Sequence, residues 1–306
     1  MRLRRSTFRR GAVGAVVLAM LAPARAYGQA CCAGGTAVTP GRLELHENAL
    51  VGVQLRAAEG IGSYAPDGSF VPPGRGDGEQ DLEEDLVVAL RVVPRGQVAL
   101  LVPLLETRRS TLLDGAQIGA GVGDINASAR YDFTLAGESV IVPGVALLGG
   151  ITLPTGTPIE QASPPLAANA TGIGAFQGNL ALAVEQTFGP WYVSATGIVA
   201  RRTARFGETL GTQVTLLAAG AYTFPSDLAV ALSASYAFEG DAQTSTGVDV
   251  AESSKRLTVV TVSGLCPLDD RWRLLGSLYV DPPFGGLGSN QPASSGLSLT
   301  VLRSWT

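Results

Sequence analysis

Between Asp124 and Phe133 apolar and polar residues alternate one for one. Ile125, Ala127, Ala129, Tyr131 and Phe133 form one series, and Asp124, Asn126, Ser128, Arg130 and Asp132 the other. Side chains of a strand point to opposite faces in turn, so this stretch has one apolar and one strongly polar face. A turn at residues 136–139 reverses the chain, and a second run, 140–153, puts Ile141, Val145, Leu147, Ile151 and Leu153 on one parity. The same rhythm predicts strands at 49–58, 82–93, 97–107, 176–188, 191–202, 212–224, 228–239, 254–266, 271–281 and 296–305. The valines Val259, Val260 and Val262 blur the alternation of the tenth. Soluble strands average ~5–6 residues, whereas a tilted strand that crosses a bilayer needs ~9–11. The predicted strands meet the longer requirement.

Short turns alternate with long connections at 60–80, 108–121, 154–174, 203–211, 240–253 and 282–295. An even number of long strands with turns short at one end and long at the other is the pattern of outer-membrane barrels. The expected fold is therefore all-β: a closed antiparallel transmembrane β-barrel of about 12 strands, with both termini periplasmic. Closure pairs every backbone polar group and lets a sheet exist in lipid.

Aromatic positions support the same reading. Trp191, Trp272 and Trp305 all fall at predicted periplasmic strand ends, with Phe133, Phe188, Tyr222 and Phe224. Phe176, Tyr236 and Phe238 fall at the opposite ends, and all ten share the parity of their strand's apolar face. Two aromatic girdles at the two interfaces are expected of a membrane barrel. A soluble barrel or sandwich would instead gather these rings in its core.

Composition agrees. Of 306 residues 46% are hydrophobic and 16% charged, and mean hydropathy is +0.24. Yet no apolar run after the N-terminus is long enough for a membrane helix, which needs ~18 residues. At the N-terminus, five arginines in the first ten residues precede an apolar run over 11–22, then small-residue cleavage sites ending at Ala26 or Ala30. This predicts a signal peptide over 1–30, a periplasmic segment over 31–48 and a barrel over 49–306. Residues 1–30 hold six arginines and no acid, so their removal leaves 16 basic against 26 acidic residues, a formal charge of −10. Such a chain is not expected to bind nucleic acid.

The expected lumen lining is the polar parity: Arg56, Glu83, Asp85, Arg91, Asp124, Asn126, Arg130, Asp132, Glu185, Arg202, Glu239, Arg256, Arg273 and Asp281. Either these set the selectivity of an aqueous path, or they pair with one another and hold the barrel shut. His46, the only histidine, has Glu44 and Glu47 nearby, but reads as part of a solvated segment rather than a metal or catalytic site. No cofactor motif is present, and no enzymatic activity is expected. Cys31 and Cys32 start the expected mature chain on the side where Cys266 ends its strand. A disulfide from Cys266 to Cys31 or Cys32 is expected, with lipidation of Cys31 the other use of that thiol.

The order Gly121-Val-Gly-Asp124, Pro154-Thr-Gly156 and Thr171-Gly172 resembles the outer-membrane barrels of the MetA-pathway phenol-degradation family, over roughly residues 120–205. The resemblance implies an outer-membrane channel or transporter for small solutes, with hydrophobic or aromatic compounds as candidates. The Cys31-Cys32 start is no part of that pattern. The competing readings are a surface-structural or adhesion barrel acting through its loops, and an outer-membrane enzyme such as a phospholipase. The expected partners are outer-membrane lipid and a small solute.

Overall fold

A computed structural model describes residues 42–306. Twelve strands run antiparallel: β1 (Ala49–Tyr64), β2 (Gly78–Val93), β3 (Gly96–Thr111), β4 in two pieces (Gly115–Val122 and Ile125–Thr134), β5 (Gly144–Leu153), β6 (Gln177–Phe188), β7 (Trp191–Arg202), β8 (Gln213–Thr223), β9 (Ala229–Glu239), β10 (Lys255–Pro267), β11 (Trp272–Val280) and β12 (Gln291–Trp305). Each pairs with its neighbours in sequence, and β1 pairs β12 from Ala49 opposite Trp305 to Tyr64 opposite Gln291. The sheet is thus a closed barrel with no free edge along its body, as a sheet in lipid requires.

The apolar parity faces outward. On β2, Leu82, Leu86, Leu90 and Val92 are exposed while Asp85, Val87 and Ala89 are buried. All ten predicted girdle aromatics lie on the outer parity. Trp191, Tyr222 and Phe224 stack edge to face at 4.9 Å centroid spacing, Phe133 packs on Tyr131 at 5.2 Å, and Arg303 lies over both Trp272 and Trp305. Small residues fill much of the inner face, among them Ala146, Ala181, Ala183, Ala219, Ala221 and Ala231. A barrel of this size leaves little room for large side chains inside.

Tight turns join the strands at the end that carries the C-terminus. Gly189-Pro190 joins β6 and β7 with Gly189 at φ 59°, the first central position of a II′ hairpin turn, whose twist suits the flanking strands. Long connections gather at the other end.

Three boundaries differ from the sequence expectation. The predicted long connection at 108–121 is strand: β3 and β4 stay paired from Leu104 opposite Val122 to Thr111 opposite Gly115, and only 112–114 turn. Glycines at the inner positions 119 and 121 hid the alternation. They are small because a loop packs on them; a Cβ on Gly119 would meet the Asn169 nitrogen at 2.3 Å. Second, β5 starts at Gly144 rather than 140. Pro143 offers no N–H to the ladder, and Thr134 Oγ1 closes the ladder by donating to the Pro143 carbonyl and accepting from Val145 N. Residues 135–143 then form an outward turn that leaves Val140 and Ile141 exposed. Third, β1, β2 and β12 run beyond their predicted ends, to Tyr64 and back to Gly78 and Gln291.

The expected signal peptide and Cys31 and Cys32 lie outside the described residues. Cys266 is a free thiol. It has the parity of lipid-facing Val262, with Leu265 turned inward against Tyr192 and Ala229; its expected disulfide partners lie outside the described residues.

Candidate functional site

At the tight-turn end, residues 42–48 form a strap across the barrel mouth. Asn48 continues β1: its N–H donates to the Trp305 carbonyl, and its carbonyl accepts from Arg91 N–H. The chain then turns inward. Leu43 is buried against Leu50, Val87, Ala89, Ala99 and Leu302, and its N–H donates to Gln97 Oε1 at 3.0 Å. Arg42 reaches the opposite wall, where its Nη1 is 2.6 Å from Glu185 on β6 and its guanidinium also approaches Asp132 and the Tyr192 hydroxyl.

Charges hold the strap at both ends. Arg130 binds Asp132 and Glu185 at 2.7 and 2.9 Å. Arg273 binds Glu44 and Glu47 at 2.5 and 2.8 Å, and Arg91 donates to the carbonyls of both glutamates. Four guanidinium groups thus face four carboxylates. Glu47 is 2% exposed and Glu185 5%. A charge so buried is tolerated only with well-placed partners, and removing either side leaves the other uncompensated.

Above the strap is a lumen cavity of about 500 Å³. Arg56, Glu83, Asp85 and Asp281 line it, with serine and threonine hydroxyls from β9 to β12 and apolar side chains such as Leu217 and Leu275. Arg56 pairs with Glu83 at 2.8 Å, and Asp281 accepts from Ser294 N and Oγ.

At the long-loop end, Arg202 ties four strands together: it binds Glu239 at 2.6 Å and donates to Gln177 and Gln213. The connection 154–174 lies on the inner faces of β3 and β4, where Arg109 donates to the Leu166 and Ala167 carbonyls. Asp124 sits in the break between the two pieces of β4, opposite Pro103, whose missing N–H interrupts the β3 ladder. Its carboxylate accepts from Gly156 N and Ile173 N at 2.9 and 2.6 Å. Thr171 Oγ1 donates to the Val122 carbonyl, and a Cβ on Gly172 would strike Asp124. The short motifs at 121–124, 154–156 and 171–172 are therefore three sides of one contact.

All but Asn126 and Arg256 of the predicted lining residues separate into four places. Arg91, Arg130, Asp132, Glu185 and Arg273 hold the strap; Arg56, Glu83, Asp85 and Asp281 line the cavity; Arg202 and Glu239 tie the far rim; Asp124 anchors a loop. Asn126 bonds Thr152 across β4 and β5. Arg256 belongs to the outer parity of β10, shared with Val262, and its Nε meets Ser289 in the last long loop.

Arg42, Glu44 and Glu47 were missed as site residues, because residues 42–48 read as a solvated segment. Their own alternation, Arg42-Leu-Glu-Leu-His-Glu47, was the available signal. Glu44, His46 and Glu47 place ligand atoms within 4.8 Å of one another, but Arg273 already occupies both carboxylates and His46 is exposed.

No family model matches the chain, and no curated protein matches it in sequence. Among solved structures, the COG4313 outer-membrane channel from Pseudomonas putida F1 is similar at TM-score 0.70, with 17% identity over 86% of this chain and 97% of that one. The translocator domain of the autotransporter NalP from Neisseria meningitidis is similar at TM-score 0.51, with 10% identity over 89% of this chain and 92% of that one. At these identities the likeness concerns the fold, and it is the fold of outer-membrane β-barrels.

Proposed function

We propose that this chain is an outer-membrane channel for passive passage of small solutes, with its termini and strap in the periplasm and its long loops outside the cell. The observation that carries the reading is the nature of the closure. Beyond Asn48, which continues the β1 ladder, the rest of the strap, residues 42–47, is held by side-chain ion pairs, side-chain hydrogen bonds and one small apolar cluster, and makes no backbone ladder with the wall. It can leave without breaking the barrel, and the space behind it is a lined cavity rather than packed core. Similarity to an outer-membrane channel supports the same conclusion. The hydroxyl and carboxylate lining suits polar or amphiphilic small molecules, and its leucines and Val259 admit an apolar or aromatic body.

Catalysis has no part in this reading. The single histidine lies in the strap, exposed, with Glu44 at 3.9 Å. A second reading, a surface-structural barrel acting through its loops, is favoured by the charge pairing at both ends of the lumen. Planar-bilayer recording of the purified mature protein separates the two. Discrete conductance steps are expected; none, with the strap intact or deleted, overturns the channel reading.

A further inference from the structure

The lumen cavity contains an anomaly that barrel closure does not explain. Asp85 is 7% exposed, its side chain lines the cavity, and its Oδ1 has no hydrogen-bond partner. A buried carboxylate oxygen without a donor is costly, because it has surrendered water and received nothing in exchange. Its neighbours do not supply the missing charge. Glu83 stands two positions along the same face of β2, and Asp281 is committed to Ser294. Arg56, the one guanidinium on the cavity wall among the described residues, has its ion pair with Glu83. Three carboxylates against one guanidinium leave the cavity with a formal charge of −2.

The approach to the cavity has the same sign. The connections at the long-loop end, 65–77, 112–114, 154–176, 203–212, 240–254 and 282–290, hold eight carboxylates and two arginines, Arg75 and Arg205. A mouth of one sign concentrates counter-ions of the other. The remaining wall, with Leu101, Leu217, Leu257, Val259 and Leu275, is apolar.

We propose that the cavity is a binding site for a small organic cation: an ammonium group seated on Asp85, with a compact apolar or aromatic body against the leucines. This deepens the channel reading and rests on the lumen being the solute path. It assigns the preferred solute class as primary amines rather than the neutral or anionic analogues of the same shape. An ammonium supplies up to three donors, enough for Asp85 Oδ1 and for further acceptors on the same cavity wall, which carries several serine and threonine hydroxyls.

Calorimetric titration of the folded protein in detergent tests this without any transport step. The probes are benzylammonium, benzyl alcohol and benzoate. Saturable binding of benzylammonium is expected, at least tenfold tighter than that of benzyl alcohol, with benzoate not binding. Asp85→Asn should weaken benzylammonium binding at least tenfold, while Glu84→Gln, on the lipid side of the same strand, should leave it unchanged. Ser233→Arg, which puts a cation in the cavity while leaving Asp85 in place, should abolish it. Equal binding of benzyl alcohol overturns the proposal, as does full affinity in Asp85→Asn, which would mean that Asp85 and Glu83 satisfy each other by sharing a proton. Binding without conductance would instead overturn the channel reading and leave the site standing.

Discussion

Arg273 Nη2 lies 2.8 Å from Glu47 Oε1, joining β11 to the strap across 226 positions of sequence. Both side chains are buried, at 7% and 2% exposure. Deleting one partner of such a pair costs about 3–5 kcal/mol, chiefly from the charge left behind. Releasing the strap would return Glu47 to water and avoid that cost, so Arg273→Ala should open the mouth. Bilayer recordings should show larger or more frequent openings than the parent protein, with the barrel still heat-modifiable on a gel. Parent-like conductance would mean that the strap does not gate the lumen.

Asp124 performs the equivalent task at the other end, with its carboxylate on two backbone N–H groups of the connection 154–174. Hydrogen bonds to a charged group contribute about 1.5–3 kcal/mol. Asp124→Asn keeps the shape and removes the charge, so it should loosen this connection while leaving the strands paired. Limited proteolysis should cut the variant faster between 154 and 174. An unchanged cleavage rate would show that Thr171 and the Arg109 contacts hold the connection alone.

Leu232 and Ser233 are adjacent on β9 and face opposite media: Leu232 is 58% exposed on the outer surface, and Ser233 lines the cavity. Arginine on the lipid face near the midplane costs about 2–4 kcal/mol, whereas lumen substitutions alter selectivity. Leu232→Arg should therefore lower unfolding stability in vesicles by that amount. Ser233→Arg should change stability little and shift the reversal potential in a salt gradient toward anions. The opposite ranking in stability would contradict the assigned faces.

Cys266 sits on the outer face at the tight-turn rim, with no disulfide partner among the described residues. Alkylation of the unreduced, denatured protein followed by peptide mapping should recover the Cys266 peptide as its alkylated form. Recovery of that peptide linked to one containing Cys31 or Cys32 would restore the disulfide expected from the sequence.

The strand pattern was legible because it is local. Leu86, Val88 and Leu90 against Asp85, Val87 and Arg91 announce a two-faced strand from a handful of neighbours, and the aromatics mark where each strand meets an interface. Legibility failed where backbone packs against the wall. Gly119 and Gly121 are small to admit the connection 154–174, so a strand read as a loop. It failed again at Pro143, which ends a ladder that the apolar run Val140-Ile-Val142 had extended on paper.

The chain by itself determined a twelve-stranded barrel and which face of each strand meets lipid, since alternation with period two needs only adjacent residues. Which charge meets which was decided only by the tertiary structure. Arg42 meets Glu185 and Arg273 meets Glu47 because closure brings strands of distant sequence around one narrow space, and because the strap crosses it. The same closure leaves Asp85 Oδ1 facing a cavity with no donor among the described residues. Partner choice inside a barrel depends on circumference, register and the path of the chain through the middle, and none of these is written in the neighbours of a single residue.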